Sequence, residues 1–200
     1  LKMNGGSSDF TRWKANASGI DLNRQYPADW ENICCNPPYP THKNYKGTRP
    51  LETHETKALA AFTYEIDPEI AVSYHSSGEI LYWYFHNKSE HKDRDYALAS
   101  RFAEITGYSL VKPTPNPSGG GFTDWFIQEF GRPGFTPELG QYVGERHVPL
   151  SAFPEIWEKN REIGLFLATE AYRLRRARIQ PCDCRETLQL FRETPLYAEP

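Results

Sequence analysis

Apolar residues along the chain recur at two spacings, and the spacing changes several times. Thr53–Ile66 (THETKALAAFTYEI) carries Leu59, Phe62 and Ile66 at helical intervals behind Thr53, a residue able to cap a first turn, and predicts a helix. Ile70–His75 (IAVSYH) is a short β-rich run; Gly78 interrupts it and Ile80–Phe85 (ILYWYF) resumes the apolar stretch. Asn87–Asp95 reads as a charged, solvated segment, and Tyr96–Thr106 as a second helix closed by Gly107. A Pro/Gly loop over 113–121 precedes a short helix over Thr123–Phe130, stopped by Gly131, and a brief strand over Gly134–Leu139. Ser151–Arg176 predicts the longest helix, with Ile156, Ile163, Leu167 and Ala171 as its buried stripe and Arg173, Arg175 and Arg176 crowding its end, where cations suit the helix dipole. Nearer the start, 1–16 is loop-like. Gly19–Arg24 is a short alternating run that reads as a strand, ended by Pro27, and 32–49 is a long Pro-rich loop of the kind that often carries function. The C-terminal end shows no sustained apolar period and reads as a tail. Helices and strands alternate, so the predicted class is α/β.

Composition narrows the function classes. Aromatics make up 14% of the 200 residues, too many for a disordered chain and enough for a real core. A net charge of −3 argues against a general nucleic-acid binder, and the one basic run, Tyr172–Arg178, reads as dipole compensation at a helix end. No apolar run is long enough to span a bilayer, and the polar start shows no leader, so the expectation is a cytoplasmic protein, with spore or cell-wall association as the alternative. Four cysteines stand in two tight pairs, Cys34-Cys35 and Cys182-x-Cys184. Free thiols are the plainer reading, since the spacing departs from the usual zinc pattern and a four-cysteine site is the less favoured one.

Three places could carry chemistry. His75 closes a strand before Ser76-Ser77-Gly78, a position suited to facing a cleft. Glu138 lies among apolar neighbours in Phe135–Leu139, where a half-dry carboxylate has a raised pKa and can act as a base. Arg24, beside Asn23, presents a planar fork that grips a carboxylate with two bonds. Taken singly, each has a plainer structural explanation: a core histidine, a strand-end Glu paired to an Arg, and a surface ion pair.

Their order along the chain changes the odds. Gly19-Ile20-Asp21-Leu22-Asn23-Arg24, then Tyr74-His75-Ser76, then the glycine run with Asp124-Trp125, then Phe135-Thr136-Pro137-Glu138-Leu139 resembles the zinc carboxypeptidase family of metallopeptidases over roughly residues 3–172. The stretches Arg12–Asn16, Asn23–Ala28, Ser73–Trp83 and Tyr142–Gly144 with Val148–Leu150 look most like its bacterial branch of γ-D-glutamyl-L-diamino acid peptidases. The resemblance implies a mixed sheet flanked by helices. It implies a zinc ion held in part by His75, Glu138 as general base, and Asn23 and Arg24 anchoring a substrate carboxylate. Either Arg12 or Lys14 would stabilise the oxyanion: Lys14 fits better on spacing, Arg12 in residue type. The implied substrate is a peptide or muropeptide, cut at a γ-D-Glu–diaminopimelate bond.

The resemblance is incomplete. The family takes two further zinc ligands from an H-x-x-E motif, and none of the six histidines here is followed three residues later by a carboxylate. The family's mobile tyrosine before the glycine pair has no counterpart in Thr114–Ser118. The expectation is therefore that residues 1–172 are the C-terminal part of such a catalytic domain, with 173–200 a helix end and tail, that the N-terminal part of the sheet is missing, and that zinc is held incompletely. The competing expectation is an inactive fragment or pseudoenzyme that keeps a carboxylate- or muropeptide-binding site.

Overall fold

The computed structural model describes residues 2–179. Four short strands, β1 (Ala71–Val72), β2 (Ile80–Tyr82), β3 (Ser109–Leu110) and β4 (Gly134–Glu138), form one sheet in the order β1-β4-β2-β3. β1 runs parallel to β4, β4 antiparallel to β2, and β2 parallel to β3, so the sheet is mixed. Among the described residues five α-helices accompany it: α1 (His54–Ile66), α2 (Ser89–Thr106), α3 (Phe122–Phe130), α4 (Phe153–Asn160) and α5 (Ile163–Ile179).

Strand periodicity sorts the side chains of β4 onto two faces. Phe135 points into a cluster with Leu81 of β2, Ala99 and Phe102 of α2, and Ile163 and Leu167 of α5. Gly134, Thr136 and Glu138 have the opposite parity and turn towards α3. A Cβ at Gly134 would stand 3.0 Å from Ile127, and Thr136 meets Thr123 of α3 through a 2.6 Å hydroxyl pair. A second core, with Tyr26, Ala60, Phe85, Trp125 and Ile127, fills the space around α1 and α3. Glu138 thus lies on the α3 face because its register puts it there.

Several expectations need correction. Gly19–Arg24 is not a strand: Leu22–Arg24 forms a 3-10 turn, because the buried Asp21 carboxylate accepts the Asn23 N–H at 3.1 Å and the Asn44 N–H at 2.8 Å, a local bond that competes with extended backbone. The charged segment before Asp95 is the first part of α2. Asp95 is buried and accepts from Asn87 (2.6 Å) and Arg94 (2.8 Å), which ties that end down. The single helix expected over 151–176 is broken into a 3-10 turn (Leu150–Ala152), α4 and α5, with the Asn160 amide drawn to the Tyr108 hydroxyl and the Ile156 carbonyl at the break. α5 continues past residue 172 to Ile179. In α1 the buried residues are Thr56, Ala60 and Thr63, whereas Leu59, Phe62 and Ile66 are exposed among the described residues. The arginines near the end of α5 do more than offset a dipole. Arg175 and Arg178, with Arg132, pair with Asp67 and the buried Glu69 just before β1. Cys34 and Cys35 are exposed free thiols; Cys182 and Cys184 lie outside the described residues.

Candidate functional site

A cavity of about 400 Å³ opens at the C-terminal ends of β1 and β4, and Arg24, His75, Asp124 and Glu138 all line it. Four distant stretches of chain therefore meet in one place, each held by identifiable local structure.

Arg24 ends the 3-10 turn that Asp21 caps. Its carbonyl accepts the Trp30 indole N–H at 2.8 Å. The neighbouring Gln25 is fully buried and fastens the 46–53 segment. Its amide donates to the Lys46 and Arg49 carbonyls (2.6 and 3.2 Å), and its oxygen accepts the Glu52 and Thr53 N–H groups (2.9 and 3.3 Å). The glycine run closes the other side. The Tyr26 N–H donates to the Gly120 carbonyl at 3.0 Å, and the Gly120 N–H donates to the Ala28 carbonyl at 2.8 Å. These approaches tolerate no side chain. A Cβ at Gly119 would stand 2.3 Å from the Ala28 oxygen, and Gly120, at φ +81°, would put one 3.0 Å from the Arg24 Cα. The half-buried Arg24 guanidinium donates to the Asn23 carbonyl at 2.8 Å and has no carboxylate partner among the described residues.

His75 extends β1 as a bridge residue. Its N–H donates to the Pro137 carbonyl at 3.0 Å, and its own carbonyl accepts the Leu139 N–H at 2.8 Å. That pairing sets the imidazole beside Glu138, with Nδ1 3.9 Å from Oε1. Burial pushes the Glu138 carboxyl above its ordinary range, while Lys14 pulls it back. Burial also pushes the His75 imidazole down, and Lys14 adds to that shift. Glu138 has no arginine partner among the described residues. Its 18% side-chain exposure leaves it half-dry but reachable from the cavity.

The two oxyanion candidates part company. Lys14 acts electrostatically on both His75 and Glu138. Arg12 lies in a separate polar groove, where it pairs with Glu145 at 3.7 Å. Sequence reasoning quoted Asp124 inside the Asp-Trp pair without giving it a role, although an acidic residue three positions after a glycine run was a visible signal. Tyr82, inside the Ser73–Trp83 stretch but given no role there, also lines the cavity from the exposed face of β2.

A catalytic zinc takes three protein ligands and an open position. Among the described residues no three His, Cys, Asp or Glu side chains group so as to hold a metal, and His75 is the one imidazole lining the cavity. These residues alone do not fit a catalytic zinc.

Solved structures share the fold. Thrombin-activatable fibrinolysis inhibitor superposes with a TM-score of 0.64 at 19% identity, covering 79% of this chain and 43% of that one. The murein-tripeptide amidase MpaA from Escherichia coli O157 superposes with a TM-score of 0.51 at 22% identity, covering 74% of this chain and 59% of that one. Among curated proteins, γ-D-glutamyl-L-diamino acid endopeptidase 1 of Lysinibacillus sphaericus is 36% identical over 169 residues, and the uncharacterised protein YqgT of Bacillus subtilis (strain 168) is 31% identical over 157. The alignments cover 84% and 78% of this chain, which spans 41% of the length of each relative. No helix of the described residues is long and apolar enough to cross a membrane. The zinc carboxypeptidase family matches residues 5–163, and on that match the chain belongs to the zinc carboxypeptidase family of metallopeptidases.

Proposed function

We propose that this chain supplies the substrate-anchoring and proton-transfer part of a peptidase acting on γ-D-glutamyl–diaminopimelate bonds in peptidoglycan stem peptides. The observation that carries this reading is the sharing of one cavity by an arginine without an anionic partner, a half-dry glutamate and an imidazole. Arg24, with Asn23 beside it, takes the free carboxylate of the leaving residue through its planar fork. Glu138 takes a proton from the attacking water and passes it to the leaving nitrogen, a role suited to a carboxylate whose burial favours the protonated form. Lys14, rather than Arg12, steadies negative charge on the scissile carbonyl oxygen, since its field reaches the His75–Glu138 pair. His75 is the one metal ligand these residues offer. The similarity to the Lysinibacillus endopeptidase supports the choice of bond.

The test is incubation of L-Ala-γ-D-Glu-meso-diaminopimelate, in the presence of zinc, with a protein in which this chain is extended to the full length of its relatives, read by mass spectrometry. Release of free diaminopimelate from the wild type, and its loss in Glu138→Gln, is expected. Cleavage at a different bond overturns the reading. One observation favours a second reading, a binding module without catalysis: the single imidazole. In that case the tripeptide binds, Arg24→Ala abolishes binding, and no product appears. Equal affinity for wild type and Arg24→Ala dismisses both readings.

A further inference from the structure

Cys34 and Cys35 are adjacent, exposed free thiols with no part in the chemistry above. The backbone that carries them is lightly held. Ile33 donates its N–H to the Trp30 carbonyl at 3.3 Å, and Thr41 donates its own to the Gly19 carbonyl at 3.1 Å. Between these two, no main-chain hydrogen bond fixes residues 34–40 among the described residues. What precedes the pair is held firmly. Ile33 packs on the glycine run, its Cδ1 standing 2.6 Å from where a Gly120 Cβ would be. Trp30 donates its indole N–H to the Arg24 carbonyl at 2.8 Å, and the Lys46 ammonium donates to the Trp30 carbonyl at 3.0 Å. A change of backbone at 34–35 therefore breaks few bonds of its own. It has a short route inward, through Ile33 and Trp30, to the wall that carries Arg24.

We propose that Cys34 and Cys35 form a dithiol modification site, closed to a disulfide by low-molecular-weight disulfides, and that closure loosens the Arg24 grip on a carboxylate. Exposed thiols with a second thiol at hand to resolve the first product are the ones that small oxidants reach. Cys34 pushes the Cys35 thiol up by hydrogen bonding and by its charge, so the proton stays longer on Cys35 and Cys34 attacks first. The Cys34 thiolate bonds to one sulfur of the small disulfide, and the other sulfur leaves as a thiolate. Cys35, deprotonated, then attacks Cys34 in the mixed disulfide, and the second small thiolate leaves. The two cysteine protons end on the two released thiols. The pair is oxidised by two electrons and the small disulfide reduced by two. Neighbouring Cα atoms lie about 3.8 Å apart, short of the usual disulfide span, so closure has to re-form the local backbone and is readily reversed. The loosely bonded 34–40 segment permits that change, and Ile33 passes it to Gly120 and Arg24. The inference rests on the proposed function for the ligand whose grip changes.

The experiment uses the full chain with Cys182→Ser and Cys184→Ser, which leaves the pair as its only thiols, equilibrated with oxidised glutathione. Mass spectrometry of the peptide spanning 34–35 should show the loss of two hydrogen atoms and no retained glutathione, reversed by dithiothreitol. In ¹⁵N spectra the Trp30 indole and Gly120 amide cross-peaks should shift on closure. Meso-diaminopimelate should then bind about threefold or more weakly. Adding Cys35→Ser should leave glutathione retained on Cys34. A chain in which both Cys34 and Cys35 are replaced by serine should keep its affinity in the oxidant. Glutathione retained on the intact pair overturns the proposal. So does closure with unmoved cross-peaks and unchanged affinity, or an equal loss of affinity in the chain without the pair. Failure of the reduced chain to bind meso-diaminopimelate removes the carboxylate site of the proposed function. The mass and the two cross-peaks then still decide whether the pair closes and whether this wall feels it.

Discussion

The two walls of the cavity are built differently. On one, Arg24 and Asp124 stand on backbone fixed from several sides: the Asp21 cap, the Gln25 amide, and glycines pressed against 24–28. On the other, His75 and Glu138 sit where two short strands end, β1 being two residues long and an edge strand of the described sheet. The charge-binding wall is closed by interactions within these residues. The imidazole wall offers one ligand of a set that the described residues do not complete. Recognition of a charged ligand is therefore separable from chemistry here, and each wall can be perturbed alone.

The largest effect should come from Gln25→Ala. Four backbone groups would lose their partner in a fully buried setting, and the loss should be about 3 kcal/mol of stability in urea unfolding. A loss below about 0.5 kcal/mol would mean the wall does not depend on this amide. Next, Arg24→Ala should weaken binding of a carboxylate ligand by about 2 kcal/mol in a calorimetric titration, with little change in stability. Third, the Asp124 carboxyl lies near 6 in the folded chain against an ordinary 3.8. Protonation thus favours the native state: its contribution is fully present below 3.8 and is lost as pH rises through 6. Asp124→Asn should accordingly gain about 1–2 kcal/mol over wild type at pH 7.5 and nothing at pH 3.5, as read from urea midpoints. Smallest of all, Glu138→Gln should move carboxylate affinity by less than about 0.5 kcal/mol. A shift as large as that of Arg24→Ala would show that the two walls act as one unit.

Much of the fold was legible from local chemistry. Thr53 caps α1, and Gly107 and Gly131 close α2 and α3 in left-handed conformations, as expected from residue types alone. Where tertiary bonds decide, the sequence was silent. The turn at 22–24 is set by Asp21 reaching to Asn44, the start of α2 by the buried Asp95, and the break after α4 by Asn160 meeting Tyr108. Helical spacing in α1 was real, but it does not state which face is covered, and the small Thr56, Ala60 and Thr63 are the buried ones. At the site, motif order pointed to Arg24, His75 and Glu138. Arg12 and Lys14 are alike in the sequence; the fold pairs Arg12 with Glu145 and brings the charge of Lys14 to bear on His75 and Glu138. Asp124 was quoted without a role, because its capping bond to the Gly121 N–H is not visible in a motif.

The glycine run has a consequence for altering this protein. Since Gly119 and Gly120 meet residues 24–28 through main chain, the span between the Arg24 and Asp124 positions is set by backbone atoms and not by the side chains that carry the charges. The scaffold would thus tolerate a changed side chain at 24 more readily than any branching at the glycines, and an altered carboxylate grip would be sought at 24 with 119–121 left untouched.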